Sequence, residues 1–174
     1  MSLDENMEGR KVSESRITFT QAMGVTDANV LGNVHGGMIM KLCDEAGGTA
    51  AMKHARRPVV TVAVDSMSFH SPVQIGNLLT VQAAVTWVGR SSMETRLVVT
   101  AEDLVTGTIT HTNTAYFVYV ALDDEGGTVK VPPLIRETEE EETLWNEGAA
   151  RQQFRLERRR QERPITLRTD EKPG

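Results

Sequence analysis

A single cysteine, Cys43, leaves this 174-residue chain without any intrachain disulfide, which excludes the bridge-stapled design of small secreted domains. Aromatic residues are scarce at 5%, and no apolar run approaches the roughly 18 residues that a membrane-spanning helix needs. The N-terminus, Met-Ser-Leu-Asp-Glu-Asn, does not set a basic segment ahead of an apolar one as a secretory signal does. These absences predict a soluble, unexported protein in a reducing, cytoplasmic setting. Positive charge is also short. With 19 Lys and Arg against 24 Asp and Glu, the net charge of -5 argues against a general binder of nucleic acid or membrane, since both are anionic. An anionic ligand would need a local basic patch.

What is present, 39% hydrophobic and 25% charged residues, fits one compact domain with something left over. Residues 1–13 follow neither hydrophobic period and read as a flexible leader. Ile17 and Phe19 mark a short strand within Arg16 to Ala22, and a turn-rich loop through Asp27, Asn29, Gly32 and Asn33 follows. From Gly36 to Arg56 there is no proline, and Ile39, Leu42, Cys43, Ala46 and Ala50 recur at helical spacing. That predicts one long, small-sided helix, whose two glycines at 47 and 48 cost about 1 kcal/mol each unless close packing recovers it.

Beyond Pro58 the chain reads as strands: Val59 to Val73, Leu78 to Val88, Ser92 to Asp103 and Thr108 to Leu122. Leu79, Val81, Ala83, Val85 and Trp87 alternate with mostly polar neighbours, as do Met93, Thr95, Leu97, Val99 and Ala101, so each strand has one buried face. Parity shifts near Asp65 and Ser66, where a bulge or bend is expected. Short connections imply antiparallel neighbours. The result is an α+β domain over residues 14–127, one helix wrapped by an antiparallel sheet whose exposed edges favour dimerisation. Residues 128–174 form an extension, partly helical with a disordered end. Its thin apolar stripe, Leu144, Trp145, Gly148, Phe154 and Leu156, predicts light packing, and its six arginines from 151 to 163 are interspersed with glutamates, as on a salt-bridged helix face.

The stretch from Asp27 to Gly37 and on to Asp44 combines three requirements of acyl transfer. A helix N-terminus offers unpaired N–H groups and partial positive charge to a developing oxyanion. Gly36 and Gly37 allow a carbonyl to approach those groups closely. Asp44 lies two turns beyond Gly37, on the same helix face, and a carboxylate among apolar residues is costly without a task or a partner. The plainer reading is a tight turn and a solvated acid.

Four segments in this order resemble the acyl-coenzyme A hydrolases of the hotdog fold, specifically the brain-type enzymes and their single-domain bacterial relatives. They are Gly32-Asn33-Val34-His35-Gly36-Gly37 with Met40-Lys41-Leu42-Cys43-Asp44-Glu45-Ala46-Gly47, then Val64-Asp65 through Ser68-Phe69-His70. Val88-Gly89-Arg90-Ser91-Ser92-Met93-Glu94 and Val131-Pro132-Pro133 with Glu137-Thr138-Glu139 complete the set. The resemblance covers about residues 14–160. It implies hydrolysis of acyl-CoA at sites between subunits, in hotdog dimers often assembled as three dimers in a hexamer. Asp44 would activate water, or itself attack the thioester. Asn33 from the facing subunit would position water or carbonyl, the Gly37 N–H would polarise the carbonyl, and His35 would orient these groups. Gly36 would line the substrate path, while Arg90, Ser91, Ser92 and Arg57 would meet coenzyme A.

Other chemistry is disfavoured. Cys43 has no histidine at a motif spacing, and the four histidines share no ligand-type spacing, so neither a thiol nucleophile nor a metal is expected. No cofactor is expected beyond the coenzyme A of the substrate. A hydratase would need His35 as its catalytic histidine, and a non-catalytic acyl-CoA sensor remains the binding-only alternative.

Overall fold

The computed structural model describes residues 7–161. In chain order its elements are β1 (Arg10–Lys11), α1 (Val12–Ser15), β2 (Ile17–Ala22), a 3-10 turn at Val25–Asp27, α2 (Gly36–Ala55) and β3 (Val59–Met67). They continue with β4 (Leu78–Val88), β5 (Ser92–Glu102), β6 (Ile109–Ala121), β7 (Leu134–Ile135) and α3 (Glu139–Gln161). Five strands make one antiparallel sheet in the order β2-β4-β5-β6-β3, and β1 pairs with β7 in a separate parallel ribbon. The sheet's inner face wraps α2, as the helix-in-sheet reading anticipates.

Helix α2 begins where His35, in extended conformation, accepts the Gly37 N–H on its ring nitrogen. It stops at Ala55 because Arg56 turns left-handed at φ 54° and donates back to Met52 O. Its inward stripe, Ile39, Leu42, Cys43, Ala46, Ala50 and Ala51, packs on Leu79, Val81 and Val85 of β4, Leu97 and Val99 of β5, and Phe117 of β6. The small residues recover their poor propensity here by letting helix and sheet approach. A Cβ at Gly47 would stand 2.5 Å from the Tyr119 hydroxyl and 2.9 Å from that of Thr95, so only glycine fits.

Four expectations are corrected. Strand β3 ends at Met67 rather than Val73, because the Asn113 side chain donates to Ser68 O at 2.8 Å in place of the ladder partner. Register shifts at Thr61/Ala63 and Val64/Met67 accompany the parity change near Asp65. Trp87 does not share a face with Val85: a bulge between them turns it to the outer face, opposite Glu94. The leader is folded from Arg10 onward, with Val12 and Ser15 buried and the Ser15 hydroxyl accepting the Val85 N–H at 3.0 Å beside that bulge. The expected leader residues 1–6 and the disordered end, residues 162–174, lie outside the described residues.

The fourth correction concerns α3, which packs on the sheet's outer face instead of lying lightly on a neighbour. Gly148 sits directly on Trp87, where a Cβ would come within 2.7 Å of the indole's Cβ. Next to that contact Glu94 is 0% exposed and takes both Arg151, at 2.8 Å, and Arg155, at 3.0 Å. Arg155 also pairs with Asp65 of β3, and Arg151 lies 3.7 Å over the Tyr116 ring. Two of the arginines therefore hold the sheet rather than only their own helix's glutamates. Among the described residues, no helix is long and apolar enough to cross a membrane.

His54, near the C-terminal end of α2, donates through Nε2 to Pro132 O at 2.9 Å, while its other ring nitrogen is buried without a partner. Burial holds this imidazole below its ordinary value of 6.5, with the Pro132 carbonyl pulling the other way.

Two predictions follow from these contacts. Replacing Glu94 by Ala leaves Arg155 with Asp65 alone and Arg151 with only the exposed Glu147 at 3.7 Å, and lowers unfolding free energy by about 3 kcal/mol, the low end for breaking a buried pair, measured by chemical denaturation. An unfolded chain binds the His54 proton more readily than the folded one, so this residue's contribution is full above pH 6.5 and is lost as pH falls below it. Wild-type stability therefore drops more between pH 7 and pH 5 than that of His54→Gln, read from denaturation midpoints at each pH.

Candidate active site

Asp44 sits on α2 where the helix faces β3 and β6, and it is partly buried. Two hydroxyls from adjacent strands converge on its Oδ1. Thr61 of β3 donates at 2.6 Å, and Tyr119 of β6 shares its single proton between Oδ1 at 3.3 Å and the Asp44 main-chain O at 3.1 Å. Thr61 and Tyr119 are paired in the sheet register, so a single rung delivers both donors. Both bonds to the carboxylate end on the same oxygen. That leaves Oδ2 as the oxygen suited to take a proton from water.

At the N-terminus of α2, two turns before Asp44, the expected oxyanion donor is already engaged, since the Gly37 N–H donates to His35 Nδ1 at 2.9 Å. A carbonyl reaching this N–H would have to take the place of the imidazole. His35 acts as the helix cap and is exposed, so its ring is held by nothing deeper in the fold. Gly36 lies under the Phe69 ring, 3.4 Å from where a Cβ would stand. Asn33 forms an isolated bridge with Gln74, and its carbonyl accepts the Asn29 N–H at 2.7 Å. The glycines, His35 and Asn33 thus cluster at the helix N-terminus, roughly 10 Å along the axis from Asp44 at about 1.5 Å per residue. Within one chain they are not brought together with the carboxylate.

The coenzyme A candidates divide likewise. Arg90 is exposed in the β4–β5 turn, whose main chain is tied to the C-terminal arm by Val131 N–H to Arg90 O and to β6 by Ala121 N–H to Ser91 O, each 3.0 Å. Ser92 opens β5 on the outer face and lines a cavity with Val118, Ala150 and Arg155, on the side of the sheet away from Asp44. That parity separates it from the carboxylate. Arg57 is exposed between α2 and β3.

Sequence reasoning missed Thr61 and Tyr119. Tyr119 carries a hydroxyl on the core-facing parity of β6, between Phe117 and Ala121, and such a group needs a buried partner. Thr61 gave no comparable signal, because a threonine on an edge strand is ordinary. Cys43, adjacent to Asp44, is fully buried, and burial with the neighbouring negative charge pushes its thiol up to about 12, so it is no nucleophile. Among the described residues no three His, Cys, Asp or Glu side chains are placed to hold a metal.

Comparison with known proteins places this geometry in a family. The thioesterase superfamily profile matches residues 31–108. The human cytosolic acyl coenzyme A thioester hydrolase is 35% identical over 148 residues, 84% of this chain, and the chain spans about two fifths (39%) of that protein's length. The uncharacterized acyl-CoA thioester hydrolase YkhA of Bacillus subtilis is 36% identical over 156 residues, covering 90% of this chain and 91% of that one. Among solved structures, an apo-hexameric acyl-CoA thioesterase superposes with a TM-score of 0.84 at 36% identity, covering 87% of this chain and 97% of the other. The acyl-CoA hydrolase of Staphylococcus aureus, solved with butyryl coenzyme A, coenzyme A and coenzyme A disulfide, superposes at 0.81 with 32% identity, covering 87% and 93%. Sharing sequence, fold and nearly full length with these single-domain proteins, the chain belongs to the hotdog-fold acyl-CoA thioester hydrolases of the thioesterase superfamily.

Proposed function

We propose that this protein hydrolyses acyl-CoA to a carboxylic acid and free coenzyme A, with Asp44 as general base. The observation that carries this reading is the carboxylate itself, held through Oδ1 by Thr61 and Tyr119, two bonds that do not involve Oδ2. Water loses a proton to Oδ2 as its oxygen bonds to the thioester carbon, giving a tetrahedral oxyanion. The oxyanion collapses, the carbon–sulfur bond breaks, and the carboxyl returns the proton to the departing thiolate. A positioned base contributes about 100-fold to 10,000-fold, and an oxyanion donor about 100-fold to 1,000-fold.

The oxyanion donor in this reading is the Gly37 N–H of a second copy, with Asn33 beside it. The roughly 10 Å between Gly37 and Asp44 of one helix is poorly matched to a single carbonyl and its attacking water, which stand about 3 Å apart. The incoming carbonyl displaces His35 Nδ1 from the Gly37 N–H. Pairing of copies is favoured by edge strand β3, where Val60, Val62 and Val64 are exposed beside unpaired main chain. A dimer through this edge, three of them forming a hexamer as in the hexameric relative, is the assembly proposed. Arg90 and Ser91, in the β4–β5 turn, meet coenzyme A, whose phosphates an acidic protein must answer locally. A cytoplasmic setting agrees with the human relative's name and with the lone, buried thiol.

In a thiol-release assay over short, medium and long acyl-CoAs, Asp44→Asn is expected to lose about 100-fold to 10,000-fold in kcat while keeping fold and oligomer size. Near-normal turnover in the folded variant would remove Asp44 from the chemistry. Arg90→Ala is expected to raise KM for acyl-CoA about fivefold to tenfold at unchanged kcat, the signature of lost uniform binding.

A further inference from the structure

We propose that Tyr119 is the positioning residue for the Asp44 carboxylate, its buried hydroxyl tying the side chain to the helix backbone and so deciding which carboxylate oxygen faces the substrate. The inference rests on the hydrolase reading above. Tyr119 is 1% exposed, and its hydroxyl stands 3.1 Å from the main-chain O of Asp44 and 3.3 Å from Oδ1. A hydroxyl between Phe117 and Ala121 on a core-facing strand costs stability unless it finds a partner, and the partner here is a catalytic carboxylate rather than inert main chain alone.

The slot for this ring depends on the absent side chain of Gly47, whereas a methyl group at Gly48 would make only ordinary contact. A Cβ at Gly47 would stand 2.5 Å from the hydroxyl, and one at Gly48 would stand 3.5 Å from the ring. Gly47 also admits Thr95, whose Oγ1 would lie 2.9 Å from that same Cβ position. Thr61, the other donor, is exposed on an edge strand, so the enclosed tyrosine is the rigid member of the pair. Its proton is held firmly. Burial, then the charge of Asp44, push the phenol well above its usual range, so it donates throughout the working pH range. Titratable groups that feel the carboxylate include Tyr119 from β6 and Cys43 on its own helix, where the Lys41–Glu45 ion pair also lies within a turn, while β3 presents the neutral Thr61.

A phenol that only filled space would be replaced by phenylalanine without kinetic consequence. A positioning phenol stabilises the ionised carboxylate, and its loss favours the protonated form. For Tyr119→Phe the expectation is a fall in kcat of about 10-fold to 100-fold, KM within about twofold, and an acidic limb of kcat/KM shifted upward by about half a pH unit or more. On an Asp44→Asn background the same change leaves the residual rate unaltered. The second arm keeps the ring. With only two tyrosines in the chain, difluorotyrosine incorporated into Tyr116→Phe labels position 119 alone, and the stronger donor moves the limb to lower pH. A Tyr119→Phe enzyme with wild-type kcat and pH limb, or one that slows the Asp44→Asn enzyme by the same factor, overturns the proposal. So does a fluorinated enzyme whose limb does not move. Activity surviving Asp44→Asn would instead overturn the hydrolase mechanism, a result separate from either.

Discussion

Helix α2 can lie close against the sheet because Gly47 carries no side chain, and most of the site's geometry depends on that contact. A Cβ there would collide with the hydroxyls of Tyr119 and Thr95. With it absent, the helix drops far enough for Asp44 to reach the β3–β6 rung, where Thr61 and Tyr119 are paired. The alanines at 46, 50 and 51 extend the same approach along the helix, each fully buried. The cost of the helical glycine at 47 is thus offset by the hydrogen bonds that close packing permits. The carboxylate's environment is a consequence of packing before it is a matter of chemistry.

Against the outer face, α3 is held by a different force. Glu94 is removed from water and compensated by Arg151 and Arg155, with Asp65 of β3 joining through Arg155. Burial raises the Asp65 carboxyl above its ordinary range against the pull of Arg155, as expected for a charge drawn into a cluster short of water. Trp87, turned outward by the bulge after Val85, supplies the apolar floor on which Gly148 rests. The two faces of one sheet therefore do separate work. The inner face presents Asp44 and its donors, and the outer face binds a helix through ion pairs.

The elements were legible in the sequence wherever periodicity was clean. Helix α2 and strands β4, β5 and β6 lie within a residue or two of where spacing put them, and Gly37 and Asp44 are seven residues apart on one helix as read. Legibility failed where the deciding contact was non-local. Glu94 occupies a parity where a solvated glutamate is ordinary, and only the later arrival of α3 buries it. Trp87 continued an alternation that a bulge interrupts. Arg10 to Ser13 looked like leader because the partners that fix this stretch, Pro133 for Arg10 and Val85 for Ser15 just beyond it, are more than 60 residues away. At the site, Asp44 and the glycines were legible from chemistry. Thr61 and Tyr119 were not, because their role depends on sheet register, and the capping of the Gly37 N–H by His35 depends on a loop conformation that spacing does not encode.

On the proposed mechanism a reactive centre needs Asp44 from one copy and the helix N-terminus, with Asn33, from another. Co-assembling Asp44→Asn with Asn33→Ala, each inactive alone, tests this most directly through thiol release by the mixed oligomers. Random pairing across a two-fold interface rebuilds one intact site in each mixed dimer and restores about one quarter of wild-type activity. Mixed oligomers no more active than either variant would contradict the shared site.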